Sequence, residues 1–320
     1  MFKVKDTLII AEDEDKYLSF PDIIRSAQQP NRFFLVYREG DAHHPVNSKL
    51  ILKKSEDYGR TWNSVRSIPL NMEENNFVWN CPRLSYIRQK LYIICDAKSS
   101  TFERQAVFKT VFLTSDSEGN YFNYIETPIP GMVPDKFILF KNKIFCANHK
   151  IKSIRNDLIQ LVSWSEDGKM WYNTNIMANN ENHQYCEASI VNINNDYLIA
   201  YLRDNSGHKK NIYTVTSKDG IHWTKPKKLP IYGQRVTAIQ NGKNIVGTYR
   251  NTDTCHVSMF NHNLRKNKIK KYDLDWEHKS NQYNFGYTGI SETEKEYLVT
   301  YYIQQDANNP FIKLAFVKKS

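Results

Sequence analysis

Short apolar runs, each closed by a polar residue, recur along the whole chain in groups of three. The first of each group starts at or near Pro, Cys, Gln or Gly: Phe20–Arg25, Cys81–Ser85, Pro134–Leu139, Cys186–Val191, Gln234–Ile239 and Gly286–Ile290. Aligned on Asp22, Pro82, Asp135, Glu187, Val236 and Tyr287, these runs repeat at 60, 53, 52, 49 and 51 residues. The second of each group comprises Phe33–Arg38, Leu91–Asp96, Lys143–His149, Tyr197–Arg203, Asn244–Arg250 and Tyr297–Tyr302. A third leads into a turn at Leu50–Ser55, Phe108–Ser115, Leu158–Ser163 and Ile212–Ser217. Runs this short, rich in β-branched and aromatic residues and bounded by turn formers, predict strands.

The turns repeat as well. Ser55-Glu-Asp-Tyr-Gly-Arg-Thr-Trp62, Ser115-Asp-Ser-Glu-Gly-Asn-Tyr-Phe122, Ser165-Glu-Asp-Gly-Lys-Met-Trp171 and Ser217-Lys-Asp-Gly-Ile-His-Trp223 begin 60, 50 and 52 residues apart. The Asp side chain can bond the backbone ahead of it, Gly takes the positive φ, and the aromatic anchors the turn between sheets. A period near 50 residues marks a propeller blade. The sequence therefore predicts an all-β, six-bladed β-propeller occupying residues 1–320 as one domain. In the fifth repeat the turn is reduced to Phe260–Leu264. The sixth ends on its third strand, and Val4–Ile10 is expected to supply the fourth and close the ring.

Composition narrows the function. There is no 18-residue apolar run, so no membrane span is expected. The start, Met1–Ile10 followed by Glu12-Asp-Glu-Asp15, lacks the features of a signal peptide, which makes a cytoplasmic location the default. Five scattered cysteines without a CxxC pair read as buried thiols. No ligand spacing for a metal and no glycine-rich phosphate loop is present, so no cofactor is expected. The net charge of +10 suggests an anionic partner. The lysine clusters Lys225–Lys228 and Arg265–Lys271 come with no nucleic-acid module, which points to an acidic glycan instead.

In a propeller, the polar residues that begin the inner strands and end the second strands converge on the mouth of the central channel. Here they are Asp22, Arg83, Asp135, Lys136, Glu187, Arg235 and Tyr287, then Arg38, Asp96, His149, Arg203, Arg250 and Tyr302. Arginines exceed what nearby carboxylates require, and several guanidiniums around one cavity suit a carboxylate, sulfate or phosphate.

With those residues in view, the chain resembles the sialidase superfamily over essentially its whole length. Ser55–Trp62 is similar to a full Asp box, Ser165–Trp171 and Ser217–Trp223 to shortened ones and Ser115–Phe122 to a degenerate one. Glu187-Ala-Ser-Ile-Val with Tyr201-Leu-Arg203, and Gly286-Tyr287-Thr288 with Tyr301-Tyr302, resemble the family's functional motifs. The resemblance implies Tyr287 as nucleophile, Glu187 as its base, and Arg203 with Arg235 or Arg250 as a carboxylate clamp that Arg38 extends. Two departures stand out. The family's early Arg-Ile-Pro is Ser19-Phe20-Pro21 here, and the loop that carries its acid, Glu39–Asn47, offers Asp41, His43 and His44. His149 is a further candidate.

The expected activity is therefore a sialidase-like exo-glycoside hydrolase releasing a terminal acidic sugar. Two other readings remain open: a non-catalytic acidic-glycan-binding propeller, and a polysaccharide lyase or arabinan-type hydrolase on the same scaffold.

Overall fold

The computed structural model describes residues 2–69, 77–99, 107–116, 119–151, 157–179, 182–207, 210–274, 285–304 and 309–319. Among these residues it has twenty-four strands and no helix, hence none long and apolar enough to cross a membrane. The part of the second turn at 117–118 lies outside the described residues.

After β1 (Lys3–Ala11), the chain builds sheets in sequence order. The first holds β2 (Tyr17–Arg25), β3 (Phe33–Gly40), β4 (Ser48–Ser55) and β5 (Asn63–Pro69). The second holds β6 (Phe77–Trp79) and β7 (Arg83–Ile87), both paired with β8 (Lys90–Ser99), then β9 (Phe108–Ser115) and β10 (Asn123–Glu126). The third holds β11 (Ile138–Phe140), β12 (Lys143–Ile151), β13 (Leu158–Ser165) and β14 (Trp171–Ala178).

The fourth and fifth sheets share a strand. β15 (Tyr185–Ile193), β16 (Tyr197–Asp204) and β17 (Asn211–Ser217) are followed by the 15-residue β18 (Lys227–Asn241). Its first part pairs with β17 (Tyr213↔Lys228) and its second with β19 (Asn244–Asn251; Thr237↔Thr248). β20 (His256–Asn263) and β21 (Lys268–Asp273) complete the fifth sheet. In the sixth, β22 (Phe285–Glu292), β23 (Glu296–Ile303) and β24 (Phe311–Lys318) are joined on the outer edge by β1, with Leu8 opposite Leu314.

The core lies between sheets, because each sheet buries both faces. Six apolar clusters fill the gaps. Phe34 and Leu52 of the first sheet meet Trp79 and Leu91 of the second, and Ile94 and Phe112 of the second meet Phe137 and Ile144 of the third. Phe145 and Val162 meet Tyr185 and Leu198, Tyr201 meets Phe260, and Val246 and Met259 meet Val299 and Tyr297. Finally Leu298 and Leu314 of the sixth sheet meet Leu35 and Phe33 of the first. Each such buried side chain contributes about 1.5–3 kcal/mol relative to exposure.

The serine–aspartate turns are pegs in this packing. Ser55 Oγ donates to Asp57 Oδ1 (2.8 Å) and accepts from the Gly59 N–H (2.9 Å), while Trp62 Nε1 donates to the Gly59 carbonyl (2.8 Å). Gly59 has φ +86°, and a Cβ there would lie 2.5 Å from Leu298 in the sixth sheet. Gly220 repeats the arrangement with φ +79° and a Cβ position 2.3 Å from Phe145 of the third sheet. Both positions require glycine twice over, for conformation and for space.

Candidate active site

A repeated defect in the inner strands creates the site. The pairing skips between Ser19 and Asp22, Cys186 and Ser189, Gln234 and Thr237, and Phe285 and Thr288. In each bulge one residue sits at positive φ: Phe20 (54°), Glu187 (50°), Arg235 (45°) and Gly286 (91°). For the three with a Cβ this conformation costs about 1–2 kcal/mol, and a bulge re-aims the side chains around it.

The bulge also corrects the sequence alignment. Phe20, Glu187, Arg235 and Gly286 are equivalent, so Asp22 matches Ser189, Thr237 and Thr288, not Glu187 or Tyr287. Residues expected to share one funnel thus fall into two layers.

The deeper layer ties inner strands together. Asp22, fully buried, accepts from the Leu84 N–H (2.8 Å) and lies 3.1 Å from Lys136 Nζ and 3.7 Å from Arg83 Nη1. Asp135 accepts from the Ile190 N–H (3.0 Å) and lies 3.6 Å from Arg235 Nη2. Arg83 Nη1 donates to the Thr288 carbonyl at 3.0 Å. Asp96 accepts from Asn80 Nδ2 (2.9 Å) and from the N–H groups of Cys81 (3.3 Å) and Val133 (3.1 Å). Arg83, Arg235 and Asp96, expected to contact substrate, do not line the cavity above this layer. The physical reasons differ: Arg83 shares the register level of Asp22, Arg235 is fully buried against the Tyr287 ring (Cζ 5.8 Å from its centre) and near Asp135, and Asp96 caps backbone.

The upper layer surrounds a cavity of about 850 Å³. Three arginines occupy the same place in three sheets, on the second strand opposite the residue before the bulge: Arg38 across from Ser19, Arg203 from Cys186, Arg250 from Gln234. All three line the cavity, with His149 at the corresponding place opposite Met132. Arg203 binds Glu187 Oε1 (2.8 Å) and Asn205 Oδ1 (2.8 Å). Arg38 lies with Cζ 4.6 Å from the Phe20 ring centre and donates to the His43 carbonyl (3.0 Å). No carboxylate pairs with Arg38 among the described residues.

Between these arginines, the Tyr287 hydroxyl donates to Glu187 Oε1 at 2.5 Å. Burial alone would raise the Glu187 carboxyl, but Arg203 and Arg235 outweigh it and hold the group down at about 2. Burial, and next the Glu187 charge, push the Tyr287 phenol well above its ordinary value. The pair is thus an ionised carboxylate accepting from a neutral phenol. Glu187 is the only carboxylate among the described residues lining the cavity.

The remaining candidates divide. His43 and His44 line the cavity, their rings 4.7 Å apart and nearly perpendicular. His149 lines it too, lowered to about 4 chiefly by burial. Asp41 does not: it is exposed and caps its own loop, accepting from the Val46 N–H at 3.0 Å. Phe20, which packs under the Arg38 guanidinium and at a tilt against Tyr287 (ring centres 5.1 Å apart), was legible in sequence only as a departure from a motif. No group of three or more His, Cys, Asp or Glu that could hold a metal occurs among the described residues, and the five cysteines are free thiols.

No protein-family model and no curated protein sequence matches the chain. Solved structures do. A protein of unknown function from Dyadobacter fermentans is similar over 100% of this chain and 99% of its own, at TM-score 0.83 and 17% identity. The α-L-arabinofuranosidase Arb93A of Fusarium graminearum matches at TM-score 0.77 and 11% identity, covering 99% of this chain and 98% of that one. Trypanosoma rangeli sialidase matches at TM-score 0.70 and 14% identity, covering 98% of this chain but 58% of the sialidase. The chain therefore has the fold shared by sialidases and α-L-arabinofuranosidases of this kind, in a strongly divergent sequence.

Proposed function

We propose that the six sheets form a closed six-bladed propeller whose cavity is the active site of a glycoside hydrolase acting on a terminal acidic sugar. The observation that carries this reading is the bond between Tyr287 and Glu187, the sole carboxylate of the described wall. Ordinary glycosidases use two carboxylates flanking the scissile bond, and this wall presents one. A phenol–carboxylate pair suits a substrate that is itself anionic, since an uncharged nucleophile avoids repulsion by the sugar's own carboxylate.

In the proposed reaction the Tyr287 oxygen attacks the anomeric carbon as its proton passes to Glu187. A carboxyl held at about 2 is a weak base toward a phenol, so proton transfer has to accompany bond formation. His44, on the exposed side of the cavity, protonates the departing glycosidic oxygen. It then takes a proton from the water that cleaves the tyrosyl intermediate while Glu187 returns its proton to the departing Tyr287 oxygen, giving net retention and restoring the starting enzyme. Arg38 and Arg250 hold the substrate carboxylate, and Arg203 orients Glu187 while offering its free edge.

A second reading, a neutral arabinofuranoside as substrate, draws support from the end-to-end likeness to Arb93A. A panel of aryl glycosides separates the two. Turnover of an acidic-sugar glycoside, lost in Tyr287→Phe with binding retained, supports the proposal. Turnover of the arabinofuranoside alone, or full activity in Tyr287→Phe, overturns it.

A further inference from the structure

The loop after β3 brings a histidine to the cavity with one ring nitrogen already engaged. The Tyr17 hydroxyl lies 2.9 Å from His43 Nδ1. Tyr17 is buried at the start of β2, and its phenol is pushed up to about 12, chiefly by burial. It is therefore a neutral O–H at the pH of interest, and when it donates to the ring, Nδ1 is the acceptor and the ring proton lies on Nε2. That nitrogen has no hydrogen-bond partner among the described residues, and His43 lines the cavity.

Three further contacts hold the ring and its backbone in place. The ring meets Tyr17 and Phe20 edge-on at 5.5 and 5.9 Å, and the His43 carbonyl accepts from Arg38 Nη2 at 3.0 Å. The groups facing the ring are Tyr17, Arg38, His44, Arg250 and Lys98; burial first, then these cations, lower His43 to about 4.

We propose that His43, locked by Tyr17 as the Nε2–H tautomer, is a specificity-determining hydrogen-bond donor that binds an acceptor oxygen of the ligand next to its carboxylate. On this view the adjacent histidines have separate tasks. His44 is left to exchange protons, while His43 supplies a neutral N–H where the positional counterpart of the early arginine, Ser19, supplies no charge. Tyr17 is a positioning residue that acts through His43. This assignment rests on the acidic-sugar reading for the identity of the ligand, but not for the tautomer.

The test has two arms. In ¹⁵N-histidine-labelled protein without ligand, the His43 resonances should show a bare Nδ1 and a protonated Nε2 from pH 6 to 8, and Tyr17→Phe should mix the tautomers. An imidazolium, or an Nδ1–H form in the native protein, would overturn the proposal whatever the protein's activity. In the second arm, binding of a 2,3-unsaturated sialic acid analogue is measured by calorimetry. His43→Leu should weaken it about 10- to 100-fold, with His43→Gln, which keeps an N–H donor, recovering part of the loss. Equal affinity in His43→Leu would overturn the donor role. If native protein fails to bind the analogue, the acidic-sugar reading falls and the tautomer arm alone judges His43.

Discussion

Two buried carboxyls flank Arg235, and their environments drive them in opposite directions. Asp135, in the deep layer, is raised: burial dominates, and Arg235 at 3.6 Å only partly offsets it. Glu187, one layer up, is lowered to about 2, because Arg203 binds it at 2.8 Å and Arg235 and His149 add to the field. The difference is one of geometry, a long contact against a short charge-assisted one. It teaches that arginine and carboxylate counts do not locate an active site. The deep layer uses such pairs to hold inner strands together, whereas the upper layer spends strained backbone to aim a few of them into a cavity.

That division can be broken experimentally. The largest effect should come from Tyr287→Phe, with turnover falling by more than about 10⁴-fold and the melting temperature unchanged; a parallel loss of stability would place Tyr287 with the structural layer. Asp22→Ala should do the reverse, removing about 3–5 kcal/mol by stranding Arg83 and Lys136, as read by urea titration. Arg38→Gln should raise KM for an acidic substrate about 10-fold or more while changing kcat little. The smallest effect is on acid stability. Because Glu187 is depressed in the folded protein, its contribution is complete above about 4.5, the ordinary carboxyl value, and disappears as pH falls to about 2. Urea midpoints should drop less steeply over that window in Glu187→Gln than in the native protein.

Much of this was visible in the amino-acid order, for physical reasons. Strand alternation and the turn at Ser55–Trp62 are local properties, so the sheets and their spacing could be read directly. The arginines at 38, 203 and 250 were identifiable because they end second strands at a constant place in the repeat, and Glu187 and Tyr287 because they lie near the start of inner strands, one position apart in the repeat. The bulges were not legible. A positive φ at Phe20, Glu187 or Arg235 leaves no mark in residue type, unlike Gly286. The resulting slip assigned Arg83 to the cavity instead of the layer beneath it, and Arg235, at the bulge position of Glu187, is turned under the Tyr287 ring toward Asp135 by packing that residue type does not announce. Asp41 was misplaced for a different reason: a loop aspartate can cap its own backbone as readily as face a substrate.

The pairing of β1 with β24 has a consequence for how the protein is made. Lys3 leaves the ribosome 315 residues ahead of Lys318, its ladder partner. Throughout that interval the early strand travels without its ladder partner, and the charged, exposed Lys3, Lys5 and Asp6 guard it against pairing with strangers. The last sheet can zip up only once β24 has been made.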